Sequence, residues 1–199
     1  MPLDRTAPLL CAGITTYSPL KRYHVKKGSK VGVVGLGGLG HMAVKIAKAM
    51  GAEVTVFSTS LQKKEDAKRL GAKNFLISTD PKTFEQKVGY FDLIINTVSA
   101  DHDLNPYLNA LKNDATMVLL GVPPTPSKVA AFSLIGGRKR LTGSLIGGIK
   151  ETQEMLNFCA KKKVFSDIEM ITADQINEAY EKTIKGQVKY RFVIDAKTF

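Results

Sequence analysis

The segment VGVVGLGGLGHMAVKIAKAMGAEVTVFSTS, residues 31–60, constrains the fold of this chain more than any other part of its sequence. The short, nearly all-apolar run at 30–35 is typical of a strand buried on both faces. A glycine turn follows, and then a mostly apolar run that ends at Gly51, as helices often do. A second strand is predicted at 53–58. The segment therefore predicts a strand–turn–helix–strand unit with parallel strands.

The chain beyond this segment continues to alternate between short apolar runs and amphipathic runs. We therefore predict an α/β fold of the Rossmann type, a doubly wound parallel six-stranded sheet with helices on both faces. Further strands are predicted at 74–78, 91–98, 115–122 and 140–148, and helical runs at 61–72, 103–113 and 150–163.

The two ends of the chain do not fit this alternating unit. Residues 1–29 contain one helical stretch, around Leu9 to Tyr17, and then a loop that includes Pro19. Residues 166–199 contain a helical run stopped by Gly186 and then the strand-like KYRFVID. We expect that final strand to belong to a different sheet, and both ends to be parts of a second domain.

The composition limits the classes of function. The net charge of +11 is attributed to solvated lysines on helix faces, because the basic clusters at 138–140 and 161–163 are not interleaved with aromatic residues. We therefore expect no nucleic-acid partner. No apolar run reaches the roughly 18 residues of a membrane span, so no membrane partner is expected. Two cysteines, Cys11 and Cys159, make no disulfide framework and suit a reducing, cytoplasmic location.

The glycine turn has the pattern G-x-G-x-x-G between a strand and a helix, which is the arrangement that binds a dinucleotide. Gly35 permits the tight turn, Gly37 lets a pyrophosphate approach the backbone, and Gly40 lets the helix sit close to the strand. The first turn of the helix then offers free N–H groups to the phosphates. The alternative is a tight strand–helix turn that binds nothing.

The end of the second strand discriminates between cofactors. An NAD site places Asp or Glu there, whereas this chain has Ser58, Thr59 and Ser60, with Lys63 just beyond. Hydroxyls and an amine suit the 2′-phosphate of NADP(H), which a carboxylate would repel. We therefore predict NADP(H) over NAD(H). The serines could also cap the following helix. The missing acid likewise disfavours a methyltransferase.

The chain resembles the zinc-dependent medium-chain alcohol dehydrogenases of the cinnamyl (sinapyl) alcohol dehydrogenase type. The resemblance is carried by PLLCAGITTYSPL, the 31–60 segment, NTVSA, FSLIGGRK, IGGIKETQEMLNFCA and KYRFVID, and it matches only the C-terminal part of such an enzyme. It implies reversible aldehyde reduction or alcohol oxidation by hydride transfer, with this chain inactive alone. A free-standing NADP(H)-binding module without catalysis remains the alternative.

The resemblance also implies domain boundaries and roles. Residues 1–29 would enter from a missing catalytic domain, 30–165 would form the NADP-binding domain, and 166–199 would return to the catalytic domain. Cys11 matches a ligand of the catalytic zinc, which only the intact parent would bind, and Thr15 matches a residue beside the nicotinamide. The implied cofactor residues are Gly35, Leu36, Gly37, Gly38, Leu39, Gly40, Ser58, Thr59, Ser60, Lys63, Thr97, Val98, Ser99, Gly121, Val122, Pro123, Ser144, Ile146 and Gly147.

The remaining candidates are expected to have ordinary roles. We interpret His24, His41 and His102 as surface or capping histidines, because none has a metal-ligand spacing to a partner. Cys159 lies on the apolar stripe of a predicted helix and is expected to be buried. The resemblance implies a small aldehyde or alcohol substrate and a homodimer that pairs through the sixth strand.

Overall fold

A computed structural model describes all 199 residues. Six parallel strands form the central sheet, in the order β3-β2-β1-β4-β5-β6, and a separate two-stranded parallel sheet pairs β7 with β8. The strands are β1 (Lys30–Val34), β2 (Glu53–Ser58), β3 (Asn74–Ile77), β4 (Phe91–Asn96), β5 (Leu111–Leu119), β6 (Arg140–Gly143), β7 (Ile168–Ile171) and β8 (Arg191–Ile194).

Nine α-helices connect or flank these strands. None of them combines the length and the apolar character that crossing a bilayer requires. The helices are α1 (Leu3–Thr6), α2 (Ala12–Arg22), α3 (Gly40–Ala49), α4 (Lys64–Leu70), α5 (Pro81–Glu85), α6 (Asn105–Ala110), α7 (Phe132–Ile135), α8 (Ile149–Lys162) and α9 (Ile176–Ile184), with short 3₁₀ helices at Ala7–Leu10, Leu61–Lys63, Ala173–Gln175 and Ala196–Thr198.

The core lies on both faces of the large sheet, because successive side chains of each strand point to opposite faces. Val56 packs in the cluster beneath α2, α3 and α8, whereas its neighbour Phe57 packs in the cluster on the other face. There the Phe57 ring lies 5.4 Å from that of Phe91 and 5.3 Å from that of Tyr107, centroid to centroid. Burial on both faces explains why the sequence of β1 is almost continuously apolar and why β2 is buried from Val54 to Ser58.

The predicted α/β fold is confirmed, including the six-stranded parallel sheet. The strand predicted at 53–58 matches β2 residue for residue. The helical run predicted at 61–72 contains α4, which ends at Gly71 with a left-handed φ of 108°.

Several predicted boundaries are wrong. Strand β5, for example, begins at Leu111, inside the helical run predicted at 103–113. Pro19 does not lie in a loop, because α2 continues through it to Arg22 and both Pro19 and Leu20 are buried. The packing of α2 against α3 and α8 thus outweighs the hydrogen bond that proline removes. The sixth strand ends at Gly143 rather than 148, and Ile146 then takes a φ of 51°, which a strand residue cannot adopt.

The prediction that KYRFVID lies in a different sheet is confirmed. Its residues Arg191–Ile194 form β8, which pairs with β7 at Ile168–Ile171. Strand β7 was not predicted. Its sequence IEMI leaves Glu169 and Met170 exposed and Ile168 and Ile171 half-buried, so it lacks the continuous apolar pattern of the large sheet.

Candidate dinucleotide-binding site

The turn between β1 and α3 is built on close backbone contacts. Gly35 has a φ of 87°, a conformation that residues with a Cβ rarely adopt. A Cβ on Gly40 would lie 2.2 Å from the Gly35 carbonyl oxygen, so only glycine allows α3 to start this close to β1. By contrast, a Cβ on Gly37 would meet no atom within 4 Å. The turn is therefore packed on its inner side and open at Gly37.

The open side of the turn lies at the start of a helix. The residue before α3, Leu39, makes no side-chain capping bond to the helix. Helix N-termini carry free N–H groups and the positive end of the helix dipole, and both favour an anion. An exposed backbone concavity at such a position fits a diphosphate.

The end of β2 lies beside this turn. The Lys63 Nζ donates a hydrogen bond to the carbonyl oxygen of Leu36 over 3.1 Å, so its ammonium group reaches the glycine turn. The Ser58 hydroxyl is buried and accepts the N–H of Ser60 over 3.2 Å, while Thr59 is exposed. Ser60 makes no side-chain cap to the following helical turn, so the capping role considered for these serines is not observed there.

Two cavities meet at this turn, on the carboxyl side of the strands. The first, of about 400 Å³, is lined by Ser58, Thr59 and Lys63 on one side and by the β4–α6 loop on another. The second, of about 880 Å³, runs from the glycine turn to β8 and includes Ser60 and Lys63. Parallel sheets bind nucleotides at this edge, where strand order reverses between β1 and β4.

The segments after β4 and β5 form the neighbouring wall. The Thr97 hydroxyl donates to the Val34 carbonyl over 2.8 Å, which fastens the end of β4 to that of β1. A Cβ on Gly121 would lie 2.2 Å from the Val98 carbonyl oxygen, so that position requires glycine. Ser99, Val122 and Pro123 lie in the same wall. The Val122 N–H donates to the Ser99 hydroxyl over 3.4 Å, and Pro123 borders a small polar cavity beside this loop.

The segment after β6 meets α2. The Ser144 N–H donates to the Leu119 carbonyl over 3.1 Å, and Ile146 is about half exposed. A Cβ on Gly147 would lie 2.8 Å from Ile14, so the segment packs against the helix that carries the buried Thr15. The predicted nicotinamide residues thus come from two elements in contact, although none of them lines either cavity at the turn.

The cysteines differ in environment. Cys159 is buried as predicted, and burial raises the pKa of its thiol to about 11. Cys11 is exposed and lies in the turn between a 3₁₀ helix and α2. No three His, Cys, Asp or Glu side chains of this chain cluster as metal ligands. The residues present therefore do not fit a zinc ion by themselves.

Arg191, at the start of β8, was not among the predicted site residues. A Cβ on Gly38 would lie 2.7 Å from its guanidinium carbon, so the guanidinium lies against the glycine turn. Its buried Nε has no hydrogen-bond partner in the chain. A cation facing the turn with a free donor fits a phosphate. The sequence signal was the arginine within KYRFVID, but its distance from the turn depends on tertiary structure.

His41 is not a surface or capping residue, so that interpretation is wrong. Its side chain is fully buried, and burial lowers its pKa to about 4. The ring stacks on Tyr190 with 4.8 Å between centroids, and its Nε2 lies 3.0 Å from the Ser166 hydroxyl. The return segment of the chain, residues 166–191, covers it.

The fold and the turn together define a Rossmann-type domain, and comparison with known proteins narrows this class. Residues 38–161 match the family model described as zinc-binding dehydrogenase. An NADP-dependent alcohol dehydrogenase C 1 of Mycolicibacterium smegmatis is 60% identical over 98% of this chain and 56% of its own length. The chain belongs to the zinc-binding dehydrogenase family.

Solved structures of similar fold include alcohol dehydrogenases. A cinnamyl alcohol dehydrogenase of Sorghum bicolor superposes with a TM-score of 0.96 at 48% identity, covering 98% of this chain and 56% of the other. A cinnamyl alcohol dehydrogenase of Helicobacter pylori complexed with NADP(H) gives 0.89 at 49% identity, with the same coverage. The chain spans about half the length of the curated relatives it matches, and the resemblance to their C-terminal part is confirmed.

Substitution of two glycines separates packing from binding at the turn. We expect Gly40→Ala to lower the free energy of unfolding by about 2–3 kcal/mol, because its methyl group collides with the Gly35 carbonyl. Gly37→Ala has room for the methyl group and keeps its stability within about 1 kcal/mol, yet it binds NADPH at least about tenfold more weakly. Urea unfolding measures the stability of each variant, and fluorescence titration measures its NADPH affinity. Equal stability of the two variants would contradict the packing role given to Gly40.

The buried His41 makes stability depend on pH. The unfolded imidazole takes up a proton near pH 6.5, whereas the folded one stays neutral until about pH 4. Stability is therefore fully present above pH 6.5 and falls as the pH is lowered towards 4. Between pH 7 and 4.5 this group removes about 2 kcal/mol from the free energy of unfolding, and His41→Asn lacks that loss. Urea unfolding of both proteins at the two pH values tests this; parallel losses contradict it.

Proposed function

We propose that this chain is the NADP(H)-binding portion of a zinc-dependent alcohol dehydrogenase that interconverts aldehydes and alcohols by hydride transfer. The observation that carries the proposal is the Lys63 ammonium group at the glycine turn, 3.1 Å from the Leu36 carbonyl, beside a strand end without a carboxylate. The names of the relatives, NADP-dependent alcohol dehydrogenases among them, support it.

The acids nearest in sequence are engaged elsewhere or exposed. Glu53 lies at the opposite end of β2 and pairs with Lys73 over 2.8 Å. Asp66 is held by Arg69 and Lys189, and Glu65 is exposed. Lys63 has no carboxylate partner, so its charge is available for a phosphate next to the hydroxyls of 58–60. This arrangement favours a 2′-phosphorylated ribose over a ribose diol.

When bound, the nicotinamide ring of the cofactor gives or receives the hydride. The work assigned to this chain is to hold that cofactor in place. The backbone at Gly37 and Gly38, with the Arg191 guanidinium, binds the diphosphate. Lys63 and the 58–60 hydroxyls bind the 2′-phosphate, and the walls at 97–99 and 121–123 contact the adenosine and ribose. Thr15 and the 144–147 segment contact the nicotinamide.

The substrate class and the domain assignment belong to the same proposal. We assign a small aldehyde or alcohol as substrate, and catalysis to a protein that also contains the portion of the relatives that this chain does not span. Cys11, exposed beside α2, would supply one zinc ligand there. We assign 1–29 to a linker that enters from the catalytic domain, 30–165 to the cofactor domain and 166–199 to the catalytic domain. The separate β7–β8 sheet supports the last assignment.

Reversal of one charge tests the cofactor preference. We expect Lys63→Glu to weaken NADPH binding by about 100-fold, since a charged hydrogen bond of roughly 1.5–3 kcal/mol is replaced by repulsion. NADH affinity stays within about threefold. Lys64→Glu makes the same charge change one residue away, at an exposed position, and keeps the wild-type preference. Fluorescence titration measures the NADPH and NADH affinities of all three proteins. Equal affinities of the wild-type protein for NADH and NADPH would contradict the proposal.

We also propose a homodimer formed through β6. This strand pairs only with β5 and so leaves one edge free, and several exposed apolar side chains lie close to it in sequence. They are Phe132, Ile135, Leu145 and Ile149, at 83%, 67%, 87% and 92% exposure. Pairing of this edge between two chains would cover some of these apolar side chains.

Light scattering tests this dimer. We expect the wild-type chain to be dimeric at micromolar concentration and Leu145→Asp to be monomeric, because an ionised carboxylate resists burial in an apolar interface. Ile184→Asp places the same charge on an equally exposed apolar residue of α9 and leaves the dimer intact. A monomeric wild-type chain at high concentration, or a monomeric control, removes the proposal.

A further inference from the structure

His41 makes two polar contacts that the binding roles above do not use. Its Nδ1 lies 3.2 Å from the Gly37 carbonyl oxygen, and its Nε2 lies 3.0 Å from the Ser166 hydroxyl. A carbonyl oxygen only accepts, so Nδ1 carries the proton in the neutral ring. Nε2 then accepts from the Ser166 hydroxyl. One imidazole therefore connects the glycine turn to the return segment of the chain.

The contact with Gly37 fixes the direction of a peptide group. The Gly37 carbonyl oxygen also accepts the His41 backbone N–H over 3.0 Å, so two donors hold it towards the start of α3. In a trans peptide the N–H points opposite to the carbonyl. The N–H of Gly38, which belongs to the same peptide plane, is thus directed away from the helix.

The contact with Ser166 holds the return segment that carries Arg191. Beside Ser166, the Asp167 carboxylate binds Lys45 of α3 over 2.5 Å and Arg69 of α4 over 2.6 Å. Burial opposes ionisation of Asp167, but these two cations outweigh it and hold the pKa of the carboxyl below its usual range. Tyr190, next to Arg191, stacks on the same imidazole. The strand that presents Arg191 is therefore docked on His41.

We propose that His41 is a positioning residue for the cofactor's diphosphate: it aligns the Gly38 N–H and the Arg191 guanidinium on either side of one subsite. The inference rests on the proposed function, because it concerns how the same cofactor is held. His41 is buried behind the turn and acts through Gly37 and Ser166 rather than by touching the cofactor. Its contribution is to fix both donors before the ligand arrives, which lowers the cost of ordering them on binding.

The test compares two ligands. NADPH contains the diphosphate, whereas adenosine 2′-monophosphate (2′-AMP) carries the adenine and 2′-phosphate alone. We expect Ser166→Ala and His41→Asn, which break the link between the turn and the return segment, each to weaken NADPH binding by about tenfold. His41→Leu, which also removes the donor to Gly37, weakens it further. The affinity for 2′-AMP stays within about twofold in every variant.

The controls separate positioning from folding. His24→Asn changes an exposed histidine whose φ of 53° asparagine tolerates, and it leaves both affinities unchanged. The double variant His41→Asn/Ser166→Ala loses no more NADPH affinity than either single variant, because both changes break one link. The 2′-AMP titration gives the folded fraction of each protein, and Ser166→Ala, the smallest change, remains measurable if the larger ones unfold.

The outcomes are distinguishable. Unchanged NADPH affinity in Ser166→Ala and His41→Leu overturns the inference, as does a loss of 2′-AMP affinity as large as the loss of NADPH affinity. Additive losses in the double variant also overturn it. If the wild-type chain binds neither NADPH nor 2′-AMP, the proposed function fails and the positioning role fails with it. Failure of the variants alone leaves the proposed function standing.

Discussion

The close approach of the Gly40 backbone to the Gly35 carbonyl oxygen governs the geometry of this site. With only 2.2 Å between that oxygen and the place of a Cβ, no other residue lets α3 begin so near the end of β1. This contact sets the position of the helix N-terminus, and the neighbouring turn is open at Gly37. The 2′-phosphate contacts proposed at the end of β2 depend on Lys63, whose ammonium group reaches this same turn.

A second dependence concerns the return segment. Residues 166–191 contact α3 and α4 and bring Arg191 onto the turn. Asp167 receives Lys45 and Arg69, and Asp66 receives Arg69 and Lys189 over 3.3 and 2.8 Å. Exposed ion pairs contribute little, but Asp167 is four-fifths shielded, so removing one of its partners leaves a poorly hydrated charge. Together with the stacked His41 and Tyr190, these pairs hold the return segment against α3 and α4.

The sequence specifies the large sheet well because its signals are local. Each signal lies within a short stretch of sequence. Examples are the apolar run of β1, the three glycines of the turn and Gly71 at the end of α4. The functional inference from the end of β2 has the same origin, since the missing acid and the nearby Lys63 lie within a few positions. Cofactor residues in segments without a local sequence signal, such as 97–99 and 121–123, are implied only by the resemblance to a known family.

What the sequence did not reveal depends on contacts between distant segments. Nothing near His41 indicates that residues 166–190, more than 120 positions away, bury it, and so it was interpreted as a surface residue. Arg191 was visible only as one residue of a final strand. Pro19 continues a helix because α2 packs against α3 and α8. Each of these outcomes is set by tertiary packing that residue spacing does not encode.

The central claim is that one continuous groove holds a 2′-phosphorylated dinucleotide, with its diphosphate between the glycine turn and Arg191. A crystal structure of this chain grown with NADPH tests it most directly. The account predicts phosphate density within hydrogen-bond distance of the Gly38 N–H and the Arg191 guanidinium, and the 2′-phosphate against Lys63. Density for the nucleotide at another edge of the sheet, or a bound cofactor with Arg191 turned away from its diphosphate, would contradict it.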